Sequence, residues 1–432
     1  MRTFSLTEWS IASPETVPEL VGLDLGDHSA RQLAEGLSES GKLNVVELRR
    51  GLRVETTSFV GSVQIGSVRV TIQPKLQGLP LLTLLRYAYG LRDLDLLSLH
   101  EQGTQPEAFQ DLLCHQLAAE AQELLARGLH RRYERRSESL ASPRGRIDFT
   151  KVVLGAGMAQ AALPCIHHPR LRDTLVNQVL LTGLQMAVGL TRDLALRTHL
   201  RRLAALLADE VTPVSLASAT LVEVERQSDR LTAAYQPALA IVRLLMESTG
   251  TALETDEHSV RVPGFLFDMN RFFQTLISRF LHDHLVGFTV QDEYRLRGML
   301  AYVPGHNPRN RRSPEPRPDF LVRDNLGVVA MLDTKYRDLW QRDLPRDMLY
   351  QLVIYAMSQE PVGQATILYP TLDSAATEAR IDVRDPLHGS RRAQVVLRPV
   401  NMITLASLVS SHMSAAHRRE AQQYARWLVL AA

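Results

Sequence analysis

The amino-acid sequence predicts a mixed α/β protein built from several domains. The chain has 432 residues, of which 45% are hydrophobic and 22% are charged, a composition typical of a chain that folds around a core. Short β-branched runs dominate the N-terminal part, helical spacing dominates the middle, and both patterns alternate in the last third. We therefore predict a small strand-rich N-terminal domain at residues 1–80, a mainly helical middle domain at 81–250 and an α/β domain at 251–432.

The N-terminal domain contains four short runs that predict strands. Gly61 and Gly66 separate neighbouring runs as turns, and Pro74 ends the last run because proline cannot donate to a sheet. We expect this domain to contact a partner protein or DNA. The predicted strands are Val45–Leu48, Val54–Val60, Ser62–Ile65 and Val68–Ile72.

The middle domain is predicted to be mostly helical and carries an arginine-rich segment. A charged run usually forms a solvated face, and a surface that binds a polyanion or a partner is the functional alternative. The candidate contact residues are Arg131, Arg132, Arg135, Arg136, Arg144 and Arg146. The predicted helices are Leu81–Leu91, Phe109–Leu125, Thr174–Leu190, Leu194–Leu207 and Thr232–Met246.

The last third predicts the element order α-β-β-β-α-β, with a further strand towards its end. A turn at Asp324–Gly327 joins the second and third strands. The predicted helices are Phe265–Val286 and Asp347–Ser358, and the predicted strands are Phe288–Tyr294, Asp319–Val322, Val328–Asp333, Ala365–Tyr369 and Gln394–Pro399. A proline- and arginine-rich loop, Tyr302–Arg317, precedes Asp319.

Cysteine content and the lengths of apolar stretches exclude several classes of protein. The net charge is +2, and the cysteines are Cys114 and Cys165. Two cysteines cannot form a disulfide framework or a four-cysteine zinc site, and they fit a reducing cytoplasm. The sequence has no uninterrupted apolar stretch of about 18 residues and no apolar signal-peptide core near its start. We therefore expect a cytoplasmic protein without a membrane or disulfide-bonded partner.

Two aspartates and a lysine form the main candidate site. Asp319 opens one predicted strand, and Asp333 and Lys335 lie two residues apart near the end of the next. Residues i and i+2 of a strand share a face, and a hairpin would bring Asp319 beside Asp333. Two carboxylates provide the oxygen ligands that Mg²⁺ prefers. A neighbouring ammonium adds positive charge at a phosphate, so the set suits phosphodiester hydrolysis.

Lysine is rare in this chain, which makes an acidic residue two positions before a lysine unusual. The sequence has four lysines, 45 arginines and 47 acidic residues, and random placement would give about 0.4 such pairs. An exposed Asp–Lys pair on an edge strand is the alternative. The run Gly327–Leu332 before Asp333 is too apolar for an exposed edge strand.

Three further patterns in the sequence bear on function. Gln351 and Tyr355 are one helical turn apart on the following predicted helix, so both can face the site. The segment Gly36–Leu43 matches the spacing of a phosphate-binding loop, but a leucine replaces its hydroxyl residue, and the predicted order of helix and strand is reversed. The segment Cys165–His168 lacks the ligand spacing of a zinc site. We therefore expect no nucleotide or zinc site on this chain.

Asp319, Asp333 and Lys335 resemble the PD-(D/E)XK nuclease motif, and Gln351 with Tyr355 resembles the helix motif of its RecB-like branch. More widely, from about Leu81 to the C-terminus, the chain resembles the McrC family, the nuclease subunits of McrBC modification-dependent restriction systems. The segments that carry this resemblance are Leu81–Gly90, Gly128–Tyr133, Arg144–Asp148, Leu332–Tyr336, Leu349–Leu352 and Ile367–Pro370.

The resemblance implies a fold, a reaction, a metal and a partner. It implies a PD-(D/E)XK core, a mixed sheet flanked by helices, that cuts double-stranded DNA with Mg²⁺, or with Mn²⁺ in its place. The implied metal ligands are Asp319, Asp333 and the backbone carbonyl of Thr334. The implied partner is a AAA+ GTPase ring, docked on the middle domain, whose GTP hydrolysis the subunit stimulates. Many such nucleases have a glutamate on the first helix of the core, where this chain offers Gln274 as a supporting residue.

Two other functions remain open at this point. One is a non-cleaving adaptor or activator of a AAA+ ring, which the N-terminal domain and the arginine-rich segment favour. The other is a stand-alone DNA-repair nuclease, which would cut bare DNA without any nucleotide hydrolysis.

Overall fold

The computed structural model describes residues 2–91, 109–154, 162–249, 252–255, 258–261, 264–359, 363–410 and 414–430. The chain divides into two compact units. One combines Met1–Asp93 with Thr251–Ala432, and the other is Leu94–Gly250. The predicted boundary between residues 250 and 251 lies outside the described residues, and the division into three domains stays a prediction.

The N-terminal part of the first unit contains two sheets and two helices. Its elements are β1 (Arg2–Thr7), β2 (Ile11–Ala12), α1 (His28–Glu39), β3 (Leu43–Leu48), β4 (Gly51–Thr56), β5 (Phe59–Ile65), β6 (Val68–Gln73) and α2 (Gly78–Tyr89). One sheet has the order β2-β4-β3, and β1, β6 and β5 are neighbours in the other. Alternating burial along β6 explains why its β-branched residues form a strand.

The second unit contains long helices and several short strands. Its elements are α3 (Phe109–Arg127), β7 (Arg132–Tyr133), β8 (Arg136–Leu140), β9 (Arg146–Ile147), α4 (Phe149–Leu154), β10 (Leu163–His167), β11 (Arg170–Leu171), α5 (Leu175–Leu190), α6 (Leu194–Ala208), α7 (Ser218–Arg226) and α8 (Gln236–Ser248). The arginine-rich segment therefore contributes to strands that the sequence pattern did not indicate. These strands are short and largely exposed, so they lack the apolar alternation that marks a half-buried strand.

The C-terminal part of the first unit completes the fold. Its elements are β12 (Ala252–Thr255), β13 (His258–Arg261), β14 (Gly264–Asp268), α9 (Met269–His284), β15 (Thr289–Asp292), β16 (Phe320–Asp324), β17 (Gly327–Thr334), α10 (Arg346–Met357), β18 (Gly363–Thr371), β19 (Ala379–Arg384), β20 (Arg391–Asn401), α11 (Met402–Leu408) and α12 (Ala415–Leu430).

The predicted helix Phe265–Val286 is wrong over its first turn. Residues Gly264–Asp268 form strand β14, which pairs antiparallel with β5 and joins the N-terminal sheet. The helix begins at Met269, because the Asp268 side chain accepts hydrogen bonds from the backbone N–H groups of Asn270 and Arg271 and caps it. Long-range pairing therefore overrides the local helical pattern.

Gly61 makes the pairing between β5 and β14 possible. A Cβ atom at this position would lie 2.1 Å from the carbonyl oxygen of Phe265, which is closer than any side chain tolerates. Gly61 also has a φ of +132°, a conformation that residues with a side chain rarely adopt. The N-terminal strands and the C-terminal part of the chain therefore share one sheet.

A six-stranded mixed sheet organises the C-terminal part. Its order is β15-β16-β17-β18-β20-β19. Strands β17, β18 and β20 run parallel, and the remaining pairs are antiparallel. Helix α10 connects β17 to β18 and packs against β18 and β20. The core on this face includes Leu321, Met331, Leu352, Ile367 and Val395.

The predicted α/β class is confirmed, since helices and mixed sheets alternate along the described chain. No helix among the described residues combines the length and the apolar character needed to cross a membrane.

Candidate functional site

The hairpin of β16 and β17 brings the two candidate aspartates together. Its register places Phe320 opposite Leu332, so that Asp319, one residue before β16, lies beside Asp333 near the end of β17. The turn between the strands begins at Asp324, whose side chain accepts hydrogen bonds from two backbone N–H groups of the turn. The register shifts by one residue between Val322 and Arg323, so the turn and this β-bulge together set the pairing that brings Asp319 beside Asp333.

Asp319 is held in place by both neighbouring elements. Its Oδ2 accepts hydrogen bonds from the backbone N–H of Thr334 at 2.7 Å and from the Thr334 hydroxyl at 2.6 Å. Its Oδ1 accepts a hydrogen bond from Nε2 of Gln274, on helix α9, at 3.2 Å. Gln274 therefore lies in the site, as an amide that orients a carboxylate without adding charge.

Asp333 and Lys335 form an ion pair at the end of β17. Asp333 is only 2% exposed, and its Oδ2 lies 3.0 Å from Nζ of Lys335. Burial, followed by the negative charge of Asp319, raises the pKa of Asp333 to about 6, although Lys335 acts in the opposite direction. Burial alone would lower the pKa of Lys335, but the two carboxylates outweigh it and raise this pKa above its usual value. Lys335 therefore stays an ammonium.

Helix α10 supplies two further side chains. Nε2 of Gln351 donates to the hydroxyl of Tyr355 at 2.6 Å and lies 3.5 Å from Oδ1 of Asp333. The Tyr355 hydroxyl donates to the backbone carbonyl of Arg317 at 2.8 Å. Burial raises the pKa of this buried tyrosine, which keeps its hydroxyl proton in place as a donor. Gln351 is therefore oriented towards Asp333 through Tyr355.

The donor set at this site fits a hard divalent cation. Within the described parts of the chain, no group of three or more His, Cys, Asp or Glu side chains is placed to hold a metal ion. Asp319 and Asp333 offer two carboxylates, and Mg²⁺ is usually bound through one or two carboxylates plus water and substrate phosphates. Repulsion between the carboxylates adds to the raised pKa of Asp333, and a bound cation would relieve it.

The six arginines predicted to contact a partner or DNA lie elsewhere in the fold. They belong to the second unit, whereas the carboxylate site belongs to the first. They are exposed, and three of them line a cavity of about 870 Å³. The six residues are Arg131, Arg132, Arg135, Arg136, Arg144 and Arg146, of which the first three line the cavity.

The structure also describes the segments Gly36–Leu43 and Cys165–His168, for which we expect no nucleotide or zinc site. Helix α1 precedes Lys42 and strand β3 follows it, so the order is the reverse of a phosphate-binding loop, and the Lys42 ammonium lies over the ring of Phe59. Cys114 and Cys165 are both buried and free.

Sequence reasoning missed the contacts that support the segment after Lys335. The backbone N–H of Tyr336 donates to Oδ1 of Asn270 at 3.1 Å, and its hydroxyl donates to Oε1 of Glu8 at 3.0 Å. Nδ2 of Asn270 donates in turn to the hydroxyl of Ser58 at 2.6 Å. The N-terminal part of the chain therefore supports the strand end that carries Lys335. Glu8 is 328 positions from Tyr336, and no local pattern indicates such a contact.

Comparisons with known proteins agree with this architecture. Residues 54–370 match the sequence model of the family described as McrBC 5-methylcytosine restriction system component. No curated protein matches this sequence.

Two solved structures are similar to this fold. One is a refined half-complex from a tetradecameric assembly of Thermococcus gammatolerans McrB AAA+ hexamers with bound McrC. A chain in it has a TM-score of 0.64 and 19% identity, over 98% of this chain and 99% of that chain. The other is the cryo-EM structure of the Thermococcus gammatolerans McrBC complex, with a TM-score of 0.48 and 19% identity, over 66% of this chain and 88% of that chain. At 19% identity the first likeness concerns the fold. The family match covers well over half of the sequence, and it confirms the resemblance to McrC: the chain belongs to the family of McrBC 5-methylcytosine restriction system components.

Proposed function

We propose that this chain is a Mg²⁺-dependent DNA endonuclease subunit of a McrBC-like restriction system. It cuts double-stranded DNA when it is docked on a AAA+ GTPase ring, and it stimulates the GTP hydrolysis of that ring. The observation that carries the proposal is the arrangement of two carboxylates, an ammonium and an oriented amide at one end of the β16–β17 hairpin.

The carboxylates of Asp319 and Asp333, with the backbone carbonyl of Thr334, would hold the metal ion. Mg²⁺, or Mn²⁺ with its similar preference for oxygen ligands, would lower the pKa of a water and neutralise charge on the phosphate. The Thr334 hydroxyl and N–H hold one oxygen of Asp319. This arrangement leaves both carboxylates with lone pairs for a cation.

Lys335 and Gln351 supply the remaining polar groups. Lys335 is 29% exposed at its side chain and is tied to one oxygen of Asp333, so its ammonium has further protons to donate to a phosphate oxygen or to the attacking water. Gln351 is fixed by Tyr355 and can orient that water through its amide. Preorganised donors of this kind act on charge that develops in the transition state, without a cost of reorganisation at the moment of reaction.

The family and the fold both support the partner in this proposal. The similar solved assembly contains McrB AAA+ hexamers with bound McrC, and the chain described here aligns over almost its whole length with a chain of that assembly. A ring that hydrolyses GTP and moves DNA would bring the duplex to the nuclease. We expect no nucleotide site in the Gly36–Leu43 segment of this chain, so the GTP would bind to the ring.

Replacement of Lys335 tests the proposal directly. Lys335→Ala should abolish Mg²⁺-dependent cleavage of modified DNA in the presence of the AAA+ partner and GTP, while ring binding and GTPase stimulation persist. Lys151→Ala is a matched control, because Lys151 is exposed and belongs to the second unit, and it should cut like the wild type.

Three other results would contradict the proposal in distinct ways. Full cleavage by a folded Lys335→Ala protein would remove the lysine from the mechanism. Equal GTPase stimulation by wild type and variant, with no DNA products from either, would indicate a non-cleaving adaptor. Cleavage of bare DNA by the wild type without any nucleotide-hydrolysing partner would indicate a stand-alone repair nuclease.

A further inference from the structure

The loop between β15 and β16 carries an unusual concentration of positive charge. Residues 295–317, here called the 295–317 loop, are all described and form neither helix nor strand. The loop ends two residues before Asp319, which is itself part of the candidate site. It contains one acidic residue, Glu315, and six arginines, which are Arg295, Arg297, Arg309, Arg311, Arg312 and Arg317.

The base of the 295–317 loop is tied to the candidate site. The backbone N–H of Glu293 donates to the carbonyl of Asp319 at 2.8 Å, and the N–H of Leu296 donates to the carbonyl of Pro316 at 2.9 Å. The carbonyl of Arg317 accepts the hydrogen bond from Tyr355. Both ends of the loop are therefore fixed beside Asp319, and its position relative to the carboxylates follows from the fold.

Positive charge at the base is paired, whereas positive charge towards the tip is not. Arg295 lies 3.5 Å from Glu315, and Arg317 lies 3.3 Å from Glu293. Among the residues that the structure describes, no carboxylate forms an ion pair with four other arginines of the loop. These are Arg297, Arg309, Arg311 and Arg312, and all four are exposed.

The tip has a defined turn that carries three of these arginines, Arg309, Arg311 and Arg312. Nδ2 of Asn307 donates to the carbonyl of Arg311 at 2.8 Å, and Oδ1 of Asn307 accepts from the N–H of Arg311 at 2.9 Å. Asn310 adopts a left-handed conformation with a φ of +45°, which asparagine tolerates better than most residues. The guanidinium groups on either side are therefore held on an ordered backbone, which reduces the entropy lost when they bind.

We propose that the tip of the 295–317 loop binds the phosphate backbone of duplex DNA and holds the duplex against the candidate active site. The proposal rests on the nuclease function proposed above and identifies the surface that would bind the DNA substrate of the nuclease. Exposed, unpaired guanidinium groups bind phosphate oxygens in bidentate fashion, and contacts to the phosphate backbone carry no sequence information. The loop is therefore a sequence-independent clamp, which leaves recognition of modified bases to another element.

A double substitution tests the clamp. Arg311→Ala with Arg312→Ala removes two phosphate contacts. Each contact contributes about 0.9 to the slope of log affinity against log salt, so the loss should weaken binding about 60-fold near 0.1 M salt and reduce the slope by about 1.8. The assay is binding of the full chain to a short fluorescent duplex, in metal-free buffer with a chelator, over a series of salt concentrations.

The matched control removes an equal charge elsewhere in the same unit. Arg418 and Arg419 are adjacent and exposed on α12, and among the described residues neither forms an ion pair. Arg418→Ala with Arg419→Ala should bind DNA with the affinity and salt slope of the wild type. A loss in the control as large as that in the loop variant would overturn the proposal, since it would reflect net charge alone.

Other outcomes separate this proposal from the nuclease function. Wild-type affinity and slope in the loop variant would overturn the clamp, even if the wild type cuts DNA through Lys335. Unchanged DNA binding with lost association to the AAA+ ring would also overturn it, in favour of a protein-docking loop. The predicted loss of DNA binding would support the clamp, even if the wild type cuts no DNA and the nuclease function fails.

Discussion

Replacement of Glu8 by glutamine should stabilise the protein at neutral and alkaline pH. Glu8 is 1% exposed, and burial raises its pKa from 4.5 to about 7, although hydrogen bonds from Lys75 and Tyr336 act in the opposite direction. Folding therefore favours the protonated acid. The stability contributed by Glu8 is fully present below about pH 4.5 and is lost as the pH rises through about 7.

The structure gives the size of this effect. A difference of about 2.5 pKa units corresponds to about 3 kcal/mol. A glutamine stays neutral, and its carbonyl can accept the same two hydrogen bonds, which are 2.8 Å from the N–H of Lys75 and 3.0 Å from the hydroxyl of Tyr336. Oε2 of Glu8 has no hydrogen-bond partner among the described residues, so the new amide group breaks no described bond.

Chemical denaturation at a series of pH values measures the difference. Glu8→Gln should be more stable than the wild type by up to about 3 kcal/mol near about pH 8, and the two should converge near about pH 4. Glu55→Gln is the control, because the side chain of Glu55 is 42% exposed and belongs to the same unit, and it should not show this pH-dependent gain. A stability gap between Glu8→Gln and wild type that is constant with pH would refute the reasoning.

Three further predictions concern the candidate site and the sheet beside it. Tyr355→Phe removes the hydroxyl that orients Gln351, so the cleavage rate at saturating DNA should fall by about 10-fold; an unchanged rate would contradict that role. Gln274→Glu adds a carboxylate beside Asp319 and should lower the Mg²⁺ concentration needed for half-maximal cleavage, whereas Gln274→Ala should not. Gly61→Ala should lower the free energy of unfolding by at least about 2 kcal/mol, because its Cβ atom would meet a backbone carbonyl at 2.1 Å; a variant with wild-type stability in urea would contradict this.

The hairpin at the site could be predicted because its determinants are local. Asp319 and Asp333 are separated by a short segment whose turn residues and apolar run specify a tight antiparallel pair. The one-residue shift between Val322 and Arg323, which places Phe320 opposite Leu332, has no such local signal. Lys335 could be predicted as a site residue because lysine is rare in this chain. Such features can be predicted from the sequence because they depend on residues that are close together along the chain.

Contacts between distant segments could not be predicted. Glu8 accepts a hydrogen bond from Tyr336, and β14 pairs with β5 around Gly61. No local sequence pattern indicates either of these contacts. The residues Phe265–Asp268 continue the apolar pattern of the following helix, so periodicity predicted them to be helical. They belong to strand β14 because they pair with the distant strand β5, and such tertiary context overrides local propensity.

The central claim is that Asp319, Asp333 and Lys335 form a metal-dependent phosphodiesterase centre. The most direct measurement is the single-turnover rate of Mg²⁺-dependent DNA cleavage by Asp333→Asn, assembled with the AAA+ partner and GTP and compared with the wild type. The substitution keeps the shape of the side chain and removes its charge, so we expect cleavage to fall by at least about 10³-fold while DNA binding and GTPase stimulation persist. Cleavage by a folded Asp333→Asn protein at the wild-type rate would contradict the account.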